Sequence, residues 1–132
     1  RWANGACIDS ARALSPRAYA ADHGLPFQSV AGTFNHIICA DALWYMRVTG
    51  RSSLPHVLPV TIPDLQSLTA FWNEGGPGFA GAIGDIEEMS ERMEAMGDTW
   101  VDFVDGVGPE DLGGDFAYGD SSGETRTLRL SH

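Results

Sequence analysis

Apolar residues recur every three or four positions between Asp85 and Asp105, and this spacing constrains the fold more than any other feature of the chain. They are Ile86, Met89, Met93, Met96, Trp100, Phe103 and Val107, with Glu and Asp filling the other face. Because an α-helix turns once in about 3.6 residues, these side chains share one face. The pattern therefore predicts a long amphipathic helix that ends at Gly106 and Gly108.

A second long helix is predicted from Ser29 to Val48, and Gly50 ends it. One face of this helix carries Val30, Phe34, Ile37, Trp44 and Val48. A second face, rotated by roughly 120°, carries Thr33, His36, Ala40 and Leu43. A helix with two such faces is expected to be an inner member of a helical bundle.

Two shorter helices are predicted before it. Alanine-rich sequence favours a helix from Trp2 to about Leu14, with Ala3, Cys7 and Leu14 on a shared face. Ser15 and Pro16 then begin a short helix that runs to Asp22, because serine caps helices and proline suits their first turn.

The stretch 51–84 is rich in proline and glycine, which predicts a loop apart from a short helix near Asp64 to Trp72. Leu68, Trp72 and Phe79 either cover the mouth of a cavity or anchor this long connection to the bundle. After the amphipathic helix, one helical turn at Pro109–Leu112 and a small β-hairpin within 115–130 are predicted.

Charge and residue usage exclude several functions. Eighteen acidic residues against eight basic ones give a net charge of −10, which repels phosphate backbones and anionic lipids, so neither nucleic acid nor membrane is an expected partner. All eight basic residues are arginine, which excludes a lysine Schiff base and a G-K-[ST] phosphate loop. Cys7 and Cys39 form no C-x-x-C pair, and both are expected to be small buried apolar residues.

A chain of 132 residues with this composition is expected to form one domain, 1–132. It begins within a predicted helix and stops after a predicted strand, so we expect it to be incomplete at both ends. No apolar run approaches the roughly 20 residues that span a bilayer, and Arg1–Asn4 does not resemble a signal peptide. A cytoplasmic location is the default expectation.

Several segments together resemble the DinB/YfiT-like family. They are Arg1–Asn4, the stretch Gly32–Trp44 that reads GTFNHIICADALW, Trp100–Gly106 followed by Pro109–Leu112, and the hairpin end at Ser122–Glu124. The resemblance covers the chain in the right order except for 51–84, which is longer and richer in proline and glycine than the family's usual connection. Its most specific element is F-N-H-I-x-x-A-D-x-x-W.

The resemblance implies a mainly α fold, a four-helix bundle with a small β-hairpin before its last helix, and that helix is largely missing here. In that family three histidines bind a divalent metal, one from the second helix and two from an H-x-x-x-H motif on the fourth. His36 matches the first ligand, and the other two would lie beyond His132. The implied function is a metal-dependent hydrolase or thiol S-transferase that acts on a small molecule or a low-molecular-weight thiol. The metal would be zinc, nickel or iron, weakly bound by one ligand.

Without the resemblance, a lone histidine such as His36 is more often a core residue bonded to a carbonyl or carboxylate. Asp41 lies within the apolar stripe of the same helix, so we expect it to meet an arginine, a helix cap or a histidine nitrogen. His23 and His56 lie in turns and are expected at the surface. The alternative function is a non-catalytic, stress-associated binding module, and an exposed apolar seam would favour a homodimer.

Overall fold

The computed structural model describes residues 2–59, 61–74, 82–120 and 122–130. This part of the chain is mainly helical and ends in a two-stranded antiparallel sheet. Its five α-helices are α1 (Trp2–Arg12), α2 (Pro16–Ala20), α3 (Val30–Thr49), α4 (Leu65–Glu74) and α5 (Ile86–Asp105). A 3-10 turn at Asp111–Gly113 leads into strands β1 (Asp115–Gly119) and β2 (Thr125–Arg129). None of the described helices is long and apolar enough to cross a membrane.

The central element is α3, which contacts α2, α4, α5 and β1. Its start is fixed by Ser29, whose hydroxyl accepts a hydrogen bond from the Gly32 N–H at 2.9 Å. Its end is fixed by Gly50, which adopts the left-handed conformation (φ 69°) that ends many helices. The predicted helix, its stop and its inner position are all confirmed.

The core lies between α3 and α5. On α5, the side chains of three residues are buried in this core: Met89, Met93 and Met96. Three more are half-buried at its edge: Ile86, Trp100 and Phe103. Asp85 caps α5 by accepting hydrogen bonds from the N–H groups of the two glutamates that follow it. The three-or-four spacing therefore predicted both the helix and its buried face.

The stretch 51–84 contributes more to the core than its loop composition predicted. The short helix is confirmed as α4, and Leu68 within it is fully buried. Before α4, a segment of turns buries Leu54, Val57, Leu58 and Ile62. Leu68 therefore anchors the connection to the core, Trp72 is half-buried beside His36, and Phe79 lies outside the described residues.

Four side chains that were placed on predicted apolar faces are exposed. Cys7 is exposed, and so is Leu14 at 39%. Because α1 packs against α5, it buries the stripe formed by Ile8 and Ala11 instead. On α3, Ile37 and Trp44 remain 38% and 39% exposed, since no described element covers that side of the helix completely. Cys39 is buried as predicted.

The predicted hairpin is confirmed, with Phe116 opposite Leu128 and Tyr118 opposite Arg126. Asp120 closes its turn: one carboxylate oxygen accepts hydrogen bonds from the Ser122 N–H and hydroxyl, and the other accepts one from Arg126. β1 packs against α3, so the hairpin covers the C-terminal part of that helix.

Candidate functional site

The candidate site residue His36 lies on α3 and is half-buried. Its imidazole stacks on the ring of Phe27, with centroids 3.8 Å apart and planes at 16°. The indole of Trp72 approaches it at 4.7 Å and 30°. The ring is therefore held between an aromatic residue that precedes α3 and one from α4, which fixes its orientation.

A close backbone approach positions Phe27 against His36. The turn before α3 is closed by an isolated bridge between Leu25 and Gln28, and Gln28 has a φ of 67°. At the start of α3, a Cβ on Gly32 would overlap the carbonyl oxygen of Phe27. Glycine at this position therefore allows the turn to lie directly on the helix and to present the phenyl ring to the imidazole.

Burial lowers the pKa of His36 below the ordinary 6.5. The imidazole is therefore neutral at neutral pH, which is the form that can donate a lone pair to a metal ion. Neutrality alone does not distinguish a ligand from a core histidine. It satisfies one condition for the ligand role.

This shift makes part of the chain's stability depend on pH. Because the folded-state pKa is lowered, the unfolded chain takes up a proton first as the pH falls. The stability that the neutral His36 imidazole contributes to the folded chain is fully present above about pH 6.5 and declines as the pH falls below that value. We expect unfolding free energies at about pH 7.5 and about pH 5.5 to differ less in His36→Gln than in the wild type.

Urea denaturation at the two pH values measures this difference. His56→Gln is the matched control because His56 is exposed, and it should keep the wild-type pH dependence. An unchanged pH dependence in His36→Gln would show that the imidazole is not desolvated in the folded chain.

Asn35, next to His36, joins two parts of the structure and was not assigned a role from the sequence. Its side chain is fully buried. The amide nitrogen donates to the carbonyls of Ala31 and Ile83, both at 2.9 Å, and the amide oxygen accepts from the Ile83 N–H at 2.9 Å. The segment before α5 is thereby attached to α3. A polar residue between apolar neighbours was the available signal, but its partner lies 48 positions away.

Asp41 is half-buried, and burial raises the pKa of its carboxyl. The sequence predicted an arginine, a helix cap or a histidine nitrogen as its partner. No hydrogen bond or ion pair joins its carboxylate to another side chain in the part of the chain that the structure describes. Five positions from His36, it also lies on a different side of α3.

The two other histidines that the structure describes, His23 and His56, do not join His36. His23 is exposed, and its Nε2 lies 2.8 Å from the carbonyl oxygen of Ala18. His56 is exposed in the segment before α4, so the predicted surface placement of both is confirmed. Among residues 2–59, 61–74, 82–120 and 122–130, no three His, Cys, Asp or Glu side chains are grouped to hold a metal ion. The described residues therefore do not complete a metal site, and His36 would be a single ligand.

Comparison of the chain with protein families, curated proteins and solved structures found no match.

Proposed function

We propose that the chain is a DinB/YfiT-like domain and that His36 supplies one ligand of a divalent metal. The observation that carries this proposal is the environment of the imidazole: half-buried, lowered in pKa by burial, and held between Phe27 and Trp72. A neutral ring in a fixed orientation loses little entropy when it coordinates a metal. The motif F-N-H-I-x-x-A-D-x-x-W, through which the chain resembles the DinB/YfiT-like family, also supports the proposal.

The arrangement of the helices is compatible with a four-helix bundle that has one position open. α5 packs against both α1 and α3. Between α1 and α3 runs a groove of about 480 Å³, lined by Ala6, Cys7, Ser10, Ala11, Leu14, Val30 and Phe34. A fourth helix in this groove would pack diagonally across from α5. His36 faces a different side of α3 from Val30 and Phe34, so the H-x-x-x-H pair that the family resemblance implies would have to approach α3 from that other side.

The proposed activity is that of a metal-dependent hydrolase or a thiol S-transferase. Three neutral histidines, of which His36 would be one, would hold the divalent metal, and the bound metal would supply a nucleophile at neutral pH by lowering the pKa of a water or thiol. The chain's own contribution would be to hold the His36 ring with Phe27 and Trp72 and to keep water from both of its faces. The 132-residue chain itself is expected to bind metal weakly, because one imidazole cannot fill a coordination shell.

Metal analysis of the full-length gene product tests the proposal. Loss of even an outer-shell partner typically costs about ten- to a hundredfold in metal affinity, so His36→Ala should reduce metal content at least about tenfold under limiting metal. His56→Ala is the matched control and should retain the wild-type content. Equal metal content in the wild type and His36→Ala would remove the ligand assignment.

The second candidate is a non-catalytic helical module that forms a homodimer. Exposed apolar side chains favour it, because Leu14, which lines the α1/α3 groove, and Ile37 and Trp44 of α3 are each close to 40% exposed. Light scattering would then give twice the mass of the 14.2 kDa chain, and Ile37→Asp should dissociate the dimer. Val104→Asp is the control, since Val104 is exposed on α5. A monomeric wild type would exclude this candidate.

A further inference from the structure

The seven arginines in the part of the chain that the structure describes divide into two groups by their partners. Four of them form ion pairs with carboxylates: Arg12, Arg92, Arg126 and Arg129. Arg17, Arg47 and Arg51 make no ion pair with the described residues. Acidic residues outnumber basic ones by 18 to 8, so carboxylate partners are plentiful in the chain. That no described carboxylate forms an ion pair with Arg47 or Arg51 therefore needs an explanation.

Arg47 and Arg51 line the same cleft, which has a volume of about 410 Å³. The cleft lies between the C-terminal end of α3, the beginning of α4 and strand β1. Ser52 and Thr69 bring hydroxyl groups to its wall, and the half-buried Leu65 is among its apolar lining residues. Its volume falls in the range of pockets that bind small molecules, about 300 to 1,000 Å³.

Aromatic rings hold the guanidinium of Arg47 in place. Its Cζ lies 5.2 Å from the centroid of Trp44 and 4.9 Å from that of Tyr118. These two rings meet edge to face at 5.1 Å. Stacking uses the faces of a guanidinium and leaves its N–H edge available for hydrogen bonds. Burial lowers the pKa of Arg47, and the Coulombic effects of Tyr118 and Asp120 offset this lowering only in part.

The aspartates near Arg47 and Arg51 do not form ion pairs with them. Asp120 also lines the cleft, but its carboxylate is bound by Ser122 and Arg126, which hold its pKa well below the usual range. Arg51 also lines a neighbouring cleft with three aspartates, none of which lies within 4 Å of it: Asp102, Asp111 and Asp115. The C-terminus of α3 contributes roughly half a negative charge, less than the two guanidiniums provide.

We propose that this cleft binds a small organic anion, in which a carboxylate or phosphate group is held by Arg47 and Arg51 and an apolar body lies along Leu65. The planar fork of arginine matches both anionic groups. The hydroxyl of Ser52, which forms no hydrogen bond with the described residues, is available as a further donor. The site is separate from His36 and needs no metal.

Titration of the metal-free chain tests the proposal by calorimetry or by chemical shifts in the NMR spectrum. The probes are phenyl phosphate, benzoate and inorganic phosphate, with neutral benzyl alcohol as the uncharged comparison. We expect phenyl phosphate or benzoate to bind more tightly than inorganic phosphate, because the apolar body adds contact, and to bind more tightly than benzyl alcohol. The better of the two organic anions identifies the preferred anionic group.

Charge-removing variants locate the binding. Arg47→Gln and Arg51→Gln should each weaken binding of the preferred probe about tenfold or more, since each removes charge-assisted hydrogen bonds. Arg17→Gln is the matched control, because it removes the same charge from an exposed residue of α2 that makes no ion pair with the described residues. It should change the affinity less than about twofold.

Arg51→Gln is expected to fold like the wild type, because Arg51 is exposed and lies beyond the end of α3. A loss of binding in this variant would therefore not be caused by unfolding. Its helical circular dichroism and midpoint of thermal unfolding should match those of the wild type. Equal weakening by all three variants would indicate general electrostatic attraction and would overturn the proposal. Binding of benzyl alcohol as tight as that of the anions, or no binding of any probe, would overturn it as well.

Discussion

Gly32→Ala is expected to lower the free energy of unfolding by about 3 kcal/mol, as overpacking against fixed backbone typically does. The new methyl group would overlap the Phe27 carbonyl, and a carbonyl cannot rotate away as the end of a flexible side chain can. The turn that carries Phe27 must then move, and the stacking of Phe27 on His36 must loosen. Urea denaturation measures the first effect, and the imidazole resonances of His36 report the second.

Gly5→Ala is the matched control for this variant. Gly5 also lies within a helix, but nothing is found within 4 Å of the position that a Cβ would occupy. Alanine there should stabilise the protein by up to about 1 kcal/mol through helix propensity alone. If both variants shifted stability in the same direction by similar amounts, the close contact between Gly32 and Phe27 would be contradicted.

Asn35→Ala is expected to cost about 2 to 4 kcal/mol. The variant leaves the N–H and the carbonyl of Ile83 buried without the partners that Asn35 supplies, and each unsatisfied buried group costs about 1 to 3 kcal/mol. Asn73→Ala, at an exposed position of α4, should change stability by less than about 0.5 kcal/mol.

Hydrogen exchange gives a second measurement on Asn35→Ala. The amide of Ile83 should lose protection in the variant, because its hydrogen bond to Asn35 is gone. A loss of stability below about 1 kcal/mol together with unchanged protection of Ile83 would contradict the role of this side chain as the attachment between α3 and the segment before α5.

Local patterns predicted the elements of the fold because their causes lie within a few residues. The spacing of Met89, Met93 and Met96 established the buried face of α5, and Ser29 and Gly50 marked the ends of α3. Each of these features depends on backbone conformation or on neighbours one helical turn away. For this reason the predicted bounds of α3 and α5 agree with the structure almost to the residue.

Burial depended on packing partners that the sequence does not reveal. Cys7 was expected to be buried as a small apolar residue on the face it shares with Leu14, but the contact with α5 selected the face of Ile8 and Ala11. The stretch 51–84 was assigned to loop because of its prolines, yet Leu58 and Ile62 are buried without belonging to a helix or strand. Composition indicates the absence of regular structure and not the absence of core contacts.

The candidate site was predicted only in part. His36 was singled out by the motif around it, but its two ring neighbours come from positions 27 and 72, on separate segments of the chain. The cleft of Arg47 and Arg51 was not predicted, because it forms only where β1 returns to α3. Sites built from distant segments need the fold before they can be recognised.

The metal role of His36 is tested most directly by paramagnetic NMR. Cobalt(II) would be added to the isotopically labelled full-length gene product, and the imidazole resonances of each histidine would be followed. We expect the His36 resonances to undergo large paramagnetic shifts, while those of the exposed His23 and His56 remain near their metal-free positions. A protein that binds cobalt(II) with the His36 resonances unmoved would contradict the proposal that this imidazole is a metal ligand.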